Sequence, residues 1–444
     1  MTKTSITYNR IWQVAYPIIL GSVAQNLIIF TDTAFLGRVG EIALGASAIG
    51  GLFYLAIIML GFGFGTGAQI IIARRLGEGK LNEIGEVVVH SLVFLFALAF
   101  IAFLILEYGS VIFLKEVINS NAIYVGSIEF LQIRAFGIFF AFINITFRSF
   151  YVGIAKTKVI TYTTIVLALV NIVLDYGLIF GNLAMPEMGI SGAALASVIA
   201  EISAMVFFLS YTLITGNHRK YNLFCFANFR FSKLQKIFKV SIPMMIQQFV
   251  SLSVWFVFFL FVEKIGEMAL AVSNVIRSIY VLAMVPIWGF ATTTNTLVSN
   301  LIGQKRHDEV MSLIIKIAVL CFVSVLFLVS MGLFFPRLIM EIYTNNSELI
   351  ELGVPALYVV SVGALLLSIG FVLFSGVSGT GKTNISLIIE IAVLSLYVSY
   401  SYVVIIVFNS NITGAWTSEI IYGLFLSLVS WAYLKSNRWL VTDI

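Results

Sequence analysis

The chain has 444 residues, 60% of them hydrophobic and 11% charged, with a formal net charge of +5. A soluble domain is about 45–50% apolar and about 25% charged, so most soluble classes are excluded at once. The only cysteines are Cys225 in a polar segment and Cys321 in an apolar run, which speaks against a disulfide framework or a thiolate metal site.

In chain order, the first apolar block lies near 11–36. It is too long for a signal h-region and lacks a small-residue cleavage site, so it reads as a retained first span. Eleven more blocks follow near 44–73, 87–114, 122–150, 158–181, 190–215, 237–262, 268–301, 310–336, 349–375, 384–408 and 413–434. Each is long enough for a transmembrane helix of about 20 residues. The alternating ten-residue segments of an outer-membrane barrel are absent. The predicted fold class is therefore an all-α membrane protein with twelve transmembrane helices.

Basic residues sort by connector. The chain ends and the even-numbered connectors carry most of the 26 Lys and Arg, including Lys3, Arg10, Arg74, Arg75, Lys156, Lys305, Arg306 and Lys435. The other side has Arg38, Lys115, Lys264 and Arg337, and only Arg134, Arg148 and Arg277 lie in or near spans. Cytoplasmic connectors are enriched in Lys and Arg, so both termini are expected in the cytoplasm of a multi-pass inner-membrane protein. The positive charge is thus a topology signal and does not imply a nucleic-acid partner.

The run Arg38-Val-Gly-Glu-Ile-Ala-Leu44 returns as Lys264-Ile-Gly-Glu-Met-Ala-Leu270, a shift of 226 residues. The same shift pairs Pro17 with Pro243, Tyr54 with Tyr280, Gly77 with Gly303 and Lys156-Thr157 with Lys382-Thr383. Chance apolar similarity does not hold one register across turns. The expected domains are an amino-terminal six-helix lobe (1–215), a cytoplasmic linker (216–239) and a carboxy-terminal six-helix lobe (240–444). Six being even, the lobes are parallel repeats, an architecture of transporters that handle substrate near the midplane.

An ionisable group inside a membrane costs a few kcal/mol or more and is a functional candidate by default. Asp32 lies deep in the first span, and Asp175 sits in the fifth span four residues after Asn171, on one helical face. Carboxylate and amide oxygens suit a hard cation such as Na⁺, and a low-dielectric pocket equally suits a carboxyl that takes up H⁺. The competing reading is a helix-end cap or a buried structural pair. Glu201, Glu390 and Glu419 also fall inside apolar blocks. Glu201 either belongs to a proton path or bonds a neighbouring helix, and Glu390 either faces a cavity or makes a structural contact. Glu129 and Arg134, five apart, lie on different faces, so each is expected to find a partner on another helix. A substrate cavity is assigned to Gln248, Trp255, Asn274 and Tyr280, since broad sites favour aromatic surface with a few polar groups.

Two motifs mislead. Gly376-Val-Ser-Gly-Thr-Gly-Lys-Thr383 matches the phosphate-loop pattern, but it joins two spans instead of a strand and a helix, so no nucleotide is expected. The glycines from Gly61 to Gly67 evoke a dinucleotide loop, yet they sit in an apolar span and read as close helix packing. With no His/Glu metal cluster or nucleophile triad, and His90, His218 and His307 all near cytoplasmic connectors, an enzyme is not expected.

Taken in order, Pro17, Thr31-Asp32-Thr33-Ala34 leading into Gly37-Arg38-Val39-Gly40, the Gly61–Gly67 run, Leu76-Gly77-Glu78-Gly79 and Gly153-Ile-Ala-Lys156 resemble the multidrug and toxic compound extrusion (MATE) family. The resemblance covers nearly the whole chain. It implies two six-helix lobes, a central cavity that opens alternately, and export of amphipathic, often cationic compounds driven by Na⁺ or H⁺, with no cofactor beyond the coupling ion. In the DinF-like subgroup that these positions resemble, the first-span Asp and the fifth-span Asn-x-x-x-Asp form the coupling-ion site. That role falls here to Asp32, Asn171 and Asp175, with Asn144 as the fourth-span Asn. NorM-like members place acids in the seventh and tenth spans, whereas this chain has Phe258 at the repeat equivalent of Asp32. Coupling is therefore expected in the amino-terminal lobe. A monomer is expected. The alternative function is a lipid-linked oligosaccharide flippase of the same superfamily, which would require a cavity rich in Arg and Lys for pyrophosphate.

Overall fold

The computed structural model describes residues 6–226 and 229–440. Lys3, the chain ends and two residues of the 216–239 segment fall outside that range. Among the described residues, twelve helices are long and apolar enough to cross a membrane. They are α1 (Tyr8–Val39), α2 (Glu41–Glu78), α3 (Leu81–Val117), α4 (Asn121–Gly153), α5 (Lys158–Phe180) and α6 (Gly189–Ile214), followed by α7 (Phe231–Glu263), α8 (Glu267–Gly303), α9 (His307–Phe334), α10 (Ser347–Gly379), α11 (Thr383–Val407) and α12 (Ile412–Lys435). No strand occurs among the described residues. The protein is a multi-pass all-α membrane protein.

The duplication is written into the backbone as well as the sequence. Left-handed or glycine-type turns fall at Gly40 and Gly266, at Gly79 and Lys305, and at Ala155 and Gly381, each pair 226 residues apart. At Gly40 (φ 144°) and Gly266 (φ 133°) a side chain would be strained. Elsewhere the turn persists with Lys305 or Ala155 in place of glycine, so the repeat preserves geometry after losing the residue that favours it.

Contacts divide the chain into two compact units: Leu20–Met245, and Met1–Ile19 together with Ile246–Ile444. Both breaks fall inside helices, two residues after Pro17 and two after Pro243. Proline removes one hydrogen bond of the helical ladder and crowds the preceding turn. The boundaries are thus repeat equivalents themselves, and they lie within α1 and α7 instead of in the polar connector.

That connector is also shorter than hydropathy suggests, because α7 begins at Phe231 and takes residues 231–239 as its first turns. Lys233, Lys236 and Lys239 recur every three residues there, a polar start that an apolar-block count does not see. Tyr221, Asn222, Phe229 and Arg230 of the segment dock on α3. A Cβ on Gly85 would lie 2.3 Å from the carbonyl oxygens of both Tyr221 and Asn222. His90 is fully buried, stacks on Phe229 (ring centroids 4.8 Å apart), and accepts at Nε2 from the Arg230 backbone N–H at 3.0 Å. Lys233 pairs with Glu86 at 2.5 Å.

The glycines of α2 act as spacers. A Cβ on Gly61 would meet the Phe142 ring at 2.6 Å, one on Gly63 the Cα of Met245 at 2.5 Å, and one on Gly67 the Cα of Ser241 at 2.5 Å. Small residues there let α2 approach α4 and the first part of α7, as expected from the sequence. The 376–383 run ends α10, turns at Gly381 (φ 88°) and opens α11, with no strand before it. A Cβ on Gly379 would lie 3.0 Å from the Asn295 carbonyl oxygen, so this glycine serves helix packing.

Candidate functional site: a carboxyl pair in the Leu20–Met245 unit

Asp32 on α1 and Asp175 on α5 are brought together, their carboxyls within hydrogen-bonding reach of each other. Asp175 is fully buried and Asn171, one turn earlier on the same helix, is 1% exposed. What the protein offers these groups is little. Oδ1 of Asp32, both carboxyl oxygens of Asp175 and both polar atoms of the Asn171 side chain are buried without a hydrogen-bond partner. Buried polar atoms are nearly always satisfied, so this concentration of unserved oxygens at one place marks the site.

Arg134 on α4 is a cation that acts on both carboxyls, and it is already engaged. Its Nη2 donates to Oε1 of Glu201 on α6 at 2.9 Å, while its guanidinium lies over the Tyr54 ring, 4.0 Å from the centroid. The Tyr54 hydroxyl donates to the same Glu201 oxygen at 3.3 Å. Gly137, one turn along α4, makes room for the pair: a Cβ there would lie 2.5 Å from Oε2 of Glu201. Arg134 is ion-paired with Glu201, and neither Asp32 nor Asp175 has an ion pair of its own among the described residues.

Asn144 is placed less directly. Its Nδ2 donates to the backbone carbonyl of Glu201 at 2.8 Å, and its Oδ1 is buried without a partner. It therefore ties α4 to α6 beside the Arg134–Glu201 pair. Glu201 is bonded to neighbouring helices through its side chain and its carbonyl. Glu129 departs from expectation: it is exposed and makes no ion pair among the described residues. It lies eight residues from the start of α4, close enough to the helix end for its carboxylate to reach polar surroundings.

The other unit treats its acids differently. Glu390 on α11 accepts at Oε1 from the hydroxyls of Ser251 (2.7 Å) and Tyr422 (3.0 Å), and Oε2 is buried without a partner. Glu419 on α12 accepts from Tyr280 at 2.9 Å and Tyr397 at 3.0 Å, one hydroxyl to each oxygen. Among the four cavity candidates, Tyr280 is buried with its hydroxyl committed to Glu419, and Trp255 is half-buried and stacks on it at 6.2 Å. Gln248 is half-buried; Asn274 is exposed and donates to the Leu270 carbonyl one turn back at 3.1 Å. No group of three or more His, Cys, Asp or Glu that could hold a metal occurs among the described residues.

Sequence reasoning did not single out Tyr54 or Gly137. A signal was present for Tyr54, since the 226-residue register pairs it with the candidate Tyr280; in the structure each tyrosine donates to a glutamate, Glu201 and Glu419. The repeat also shows that the second half lacks the groups of the carboxyl site. At the shift of 226, Asp32, Asn171 and Asp175 correspond to Phe258, Tyr397 and Ser401. Those three pack as core: Phe258 lies 5.8 Å from the Tyr397 ring and 5.2 Å from Trp416, and Ser401 bonds Ser418 at 2.8 Å.

Comparison with known proteins agrees with the duplicated fold. The MatE family model matches residues 17–177 and again 243–403, the same 226-residue repeat. A probable multidrug resistance protein NorM of Thermotoga maritima is 24% identical over 433 residues, 96% of this chain and 92% of that protein. A probable multidrug resistance protein NorM of Synechocystis sp. is 25% identical over 370 residues, 80% of this chain and 78% of that protein. Among solved structures, a multidrug resistance MATE family transporter of the MOP superfamily in an outward-facing conformation superposes with a TM-score of 0.89 at 21% identity, covering 100% of both chains. A MOP superfamily transporter from Pyrococcus furiosus, described as having a binding pocket of reversed polarity, gives 0.89 at 21% identity over 97% of this chain and 95% of that one. At that identity the superpositions establish the fold. Two family matches in one register, on a twelve-helix duplicated frame, establish that the chain belongs to the MatE (multidrug and toxic compound extrusion) family of membrane transporters, which are not enzymes.

Proposed function

We propose that the protein is a secondary active multidrug efflux antiporter of the inner membrane. It exports amphipathic, often cationic compounds in exchange for H⁺ or Na⁺, works as a monomer with both termini cytoplasmic, and uses the Asp32–Asp175 pair as its coupling-ion site. One observation carries the reading: two carboxyls abut inside a membrane protein with no protein donor between them. Like charges that close do not both stay ionised without compensation, so a proton or a cation belongs between them. The unserved oxygens of Asp32, Asp175 and Asn171 form a donor set that suits Na⁺ and equally suits a shared proton. The burial of Phe258, where Asp32 has its repeat partner, supports coupling in the Leu20–Met245 unit, the arrangement of the DinF-like subgroup.

In this reading ion entry neutralises the pair and lets α1 and α5 pack closely. Ion loss restores two like charges and drives the helices apart. The drug and the ion then favour different packings of one unit, which is what exchange requires. The energy source is an ion gradient, and the 376–383 run plays no part in it. The test is efflux of a fluorescent organic cation from vesicles holding the purified protein, with proton and sodium gradients imposed separately. Efflux driven by one gradient is expected; efflux that needs ATP and ignores both gradients would overturn the reading.

A further inference from the structure

We infer that Glu390 is a second proton-binding carboxyl, placed in the carboxy-terminal unit on the seam between α7 and α11. That seam is the repeat equivalent of the one between α1 and α5 that carries Asp32 and Asp175. In the first half a Cβ on Gly21 would lie 3.3 Å from Oγ1 of Thr164 and 3.4 Å from Cγ2 of Ile160. The same crossing 226 residues later pairs Gln247 with Ser386, at 3.4 Å, and brings Ser251 to Glu390, at 2.7 Å. Glu390 thus stands where the first half has Thr164, so the acid is present on one copy of a duplicated helix contact.

The surroundings equip Glu390 to change protonation state. It is 2% exposed and makes no ion pair among the described residues. Its Oε1 receives two hydroxyl donors, whereas Oε2 is buried with none. A carboxylate confined in this way has one oxygen that nothing serves, so its charge is incompletely compensated and proton uptake relieves it. The titratable groups around it are few. Tyr422 on α12 bonds it directly. Behind Tyr422 stands Tyr397, with ring centroids 5.8 Å apart, and Tyr397 in turn holds Glu419 together with Tyr280.

Ser251 supplies a responsive element. Its hydroxyl has one proton and two acceptors in reach, the Gln247 carbonyl at 2.9 Å and Oε1 of Glu390 at 2.7 Å. When Glu390 is ionised, that proton goes across the seam to the carboxylate. When Glu390 is neutral with its proton on Oε1, that O–H can donate to the Ser251 oxygen, and the Ser251 proton returns to the Gln247 carbonyl on α7. Proton binding at Glu390 therefore changes how α7 holds α11, with no atom unaccounted for. Glu390 lies seven residues into α11, about 10 Å from its start, whereas Asp175 lies five residues before the end of α5. Since α5 and α11 are equivalent helices, each carboxyl occupies a different position along its own unit's copy of that helix.

This proposal adds to the antiport reading and does not use the Asp32–Asp175 pair, so the test separates them. Infrared spectra of the full-length protein in lipid nanodiscs are followed through a pH titration in the carboxylic C=O region. The background variant is Asp32→Asn with Asp175→Asn. We expect one titrating component to survive in that background, to vanish when Glu390→Gln is added, and to move its pH midpoint with Tyr422→Phe but not with Tyr280→Phe. A spectrum unchanged by Glu390→Gln and by Tyr422→Phe overturns the proposal. Loss of a component between wild type and background reports on the amino-terminal pair alone.

Discussion

Gly137→Ala gives a direct test of whether the Arg134–Glu201 pair is a packed unit with its glycine spacer. The added Cβ would lie 2.5 Å from Oε2 of Glu201, 3.1 Å from Cγ2 of Val198 and 3.4 Å from Nη1 of Arg134. Glu201 must withdraw by about 1 Å to reach ordinary contact, against a bond to Arg134 of 2.9 Å. If the pair shifts and re-forms, the cost is that of local overpacking, about 1–3 kcal/mol. If it breaks, a buried charge loses its partner and the cost rises to about 3–5 kcal/mol. The assay is denaturant unfolding of the detergent-solubilised protein for Gly137→Ala, Glu201→Ala and the double variant. Glu201→Ala removes the atoms that the new methyl would strike, so the double variant should be no less stable than Glu201→Ala, within about 0.5 kcal/mol. A penalty for Gly137→Ala that is the same in both backgrounds would refute the reasoning.

Three further outcomes are expected. Tyr280→Phe should cost about 1.5–3 kcal/mol, because a fully buried acid loses one of its two donors, whereas Tyr54→Phe, whose hydroxyl bond is longer at 3.3 Å, should cost about 0.5–1.5 kcal/mol; the reverse order in unfolding measurements contradicts the assignment. Gly85→Ala places a methyl against two backbone carbonyls of the connector, so trypsin should cut sooner after Arg219, Lys220 or Arg230, and unchanged digestion would show that the connector is not held there. Burial, together with the nearby Lys220 ammonium, holds the Lys156 ammonium below the usual lysine range. Lys220→Gln should raise it partway, seen by NMR of labelled lysine, and stability gained from losing the Lys156 proton should then appear at higher pH; an unmoved titration would assign the effect to burial alone.

Much of this molecule was legible in its sequence, for identifiable reasons. Hydropathy finds membrane helices because lipid demands apolar side chains and internally satisfied backbone, and all twelve blocks became α1–α12. The 226-residue register foretold the paired turns at 40/266, 79/305 and 155/381, since homologous turns keep their geometry. The Asn171–Asp175 spacing and the depth of Asp32 pointed to residues that the fold brings into one place. Other features were hidden because they depend on partners. Nothing in the pattern around Pro17 or Pro243 says that a helix changes the unit it packs with. The basic first turns of α7 resemble a linker to any hydropathy count. Gly137 is one glycine among 34 until Glu201 is seen pressed against it. Glu129 and Arg134 look alike as intramembrane charges, and only the structure separates an exposed carboxylate from a buried ion pair.

The central claim is that Asp32 and Asp175 bind the ion whose gradient drives transport. The measurement that tests it most directly is gradient-driven efflux of a fluorescent cation from vesicles, with binding of the same compound measured in parallel, for wild type and for Asp32→Asn and Asp175→Asn. Asn keeps the shape of Asp but does not take up a proton or carry charge to a cation. The account predicts that binding persists while efflux no longer responds to either gradient; efflux that still follows a proton or sodium gradient in both variants would contradict it.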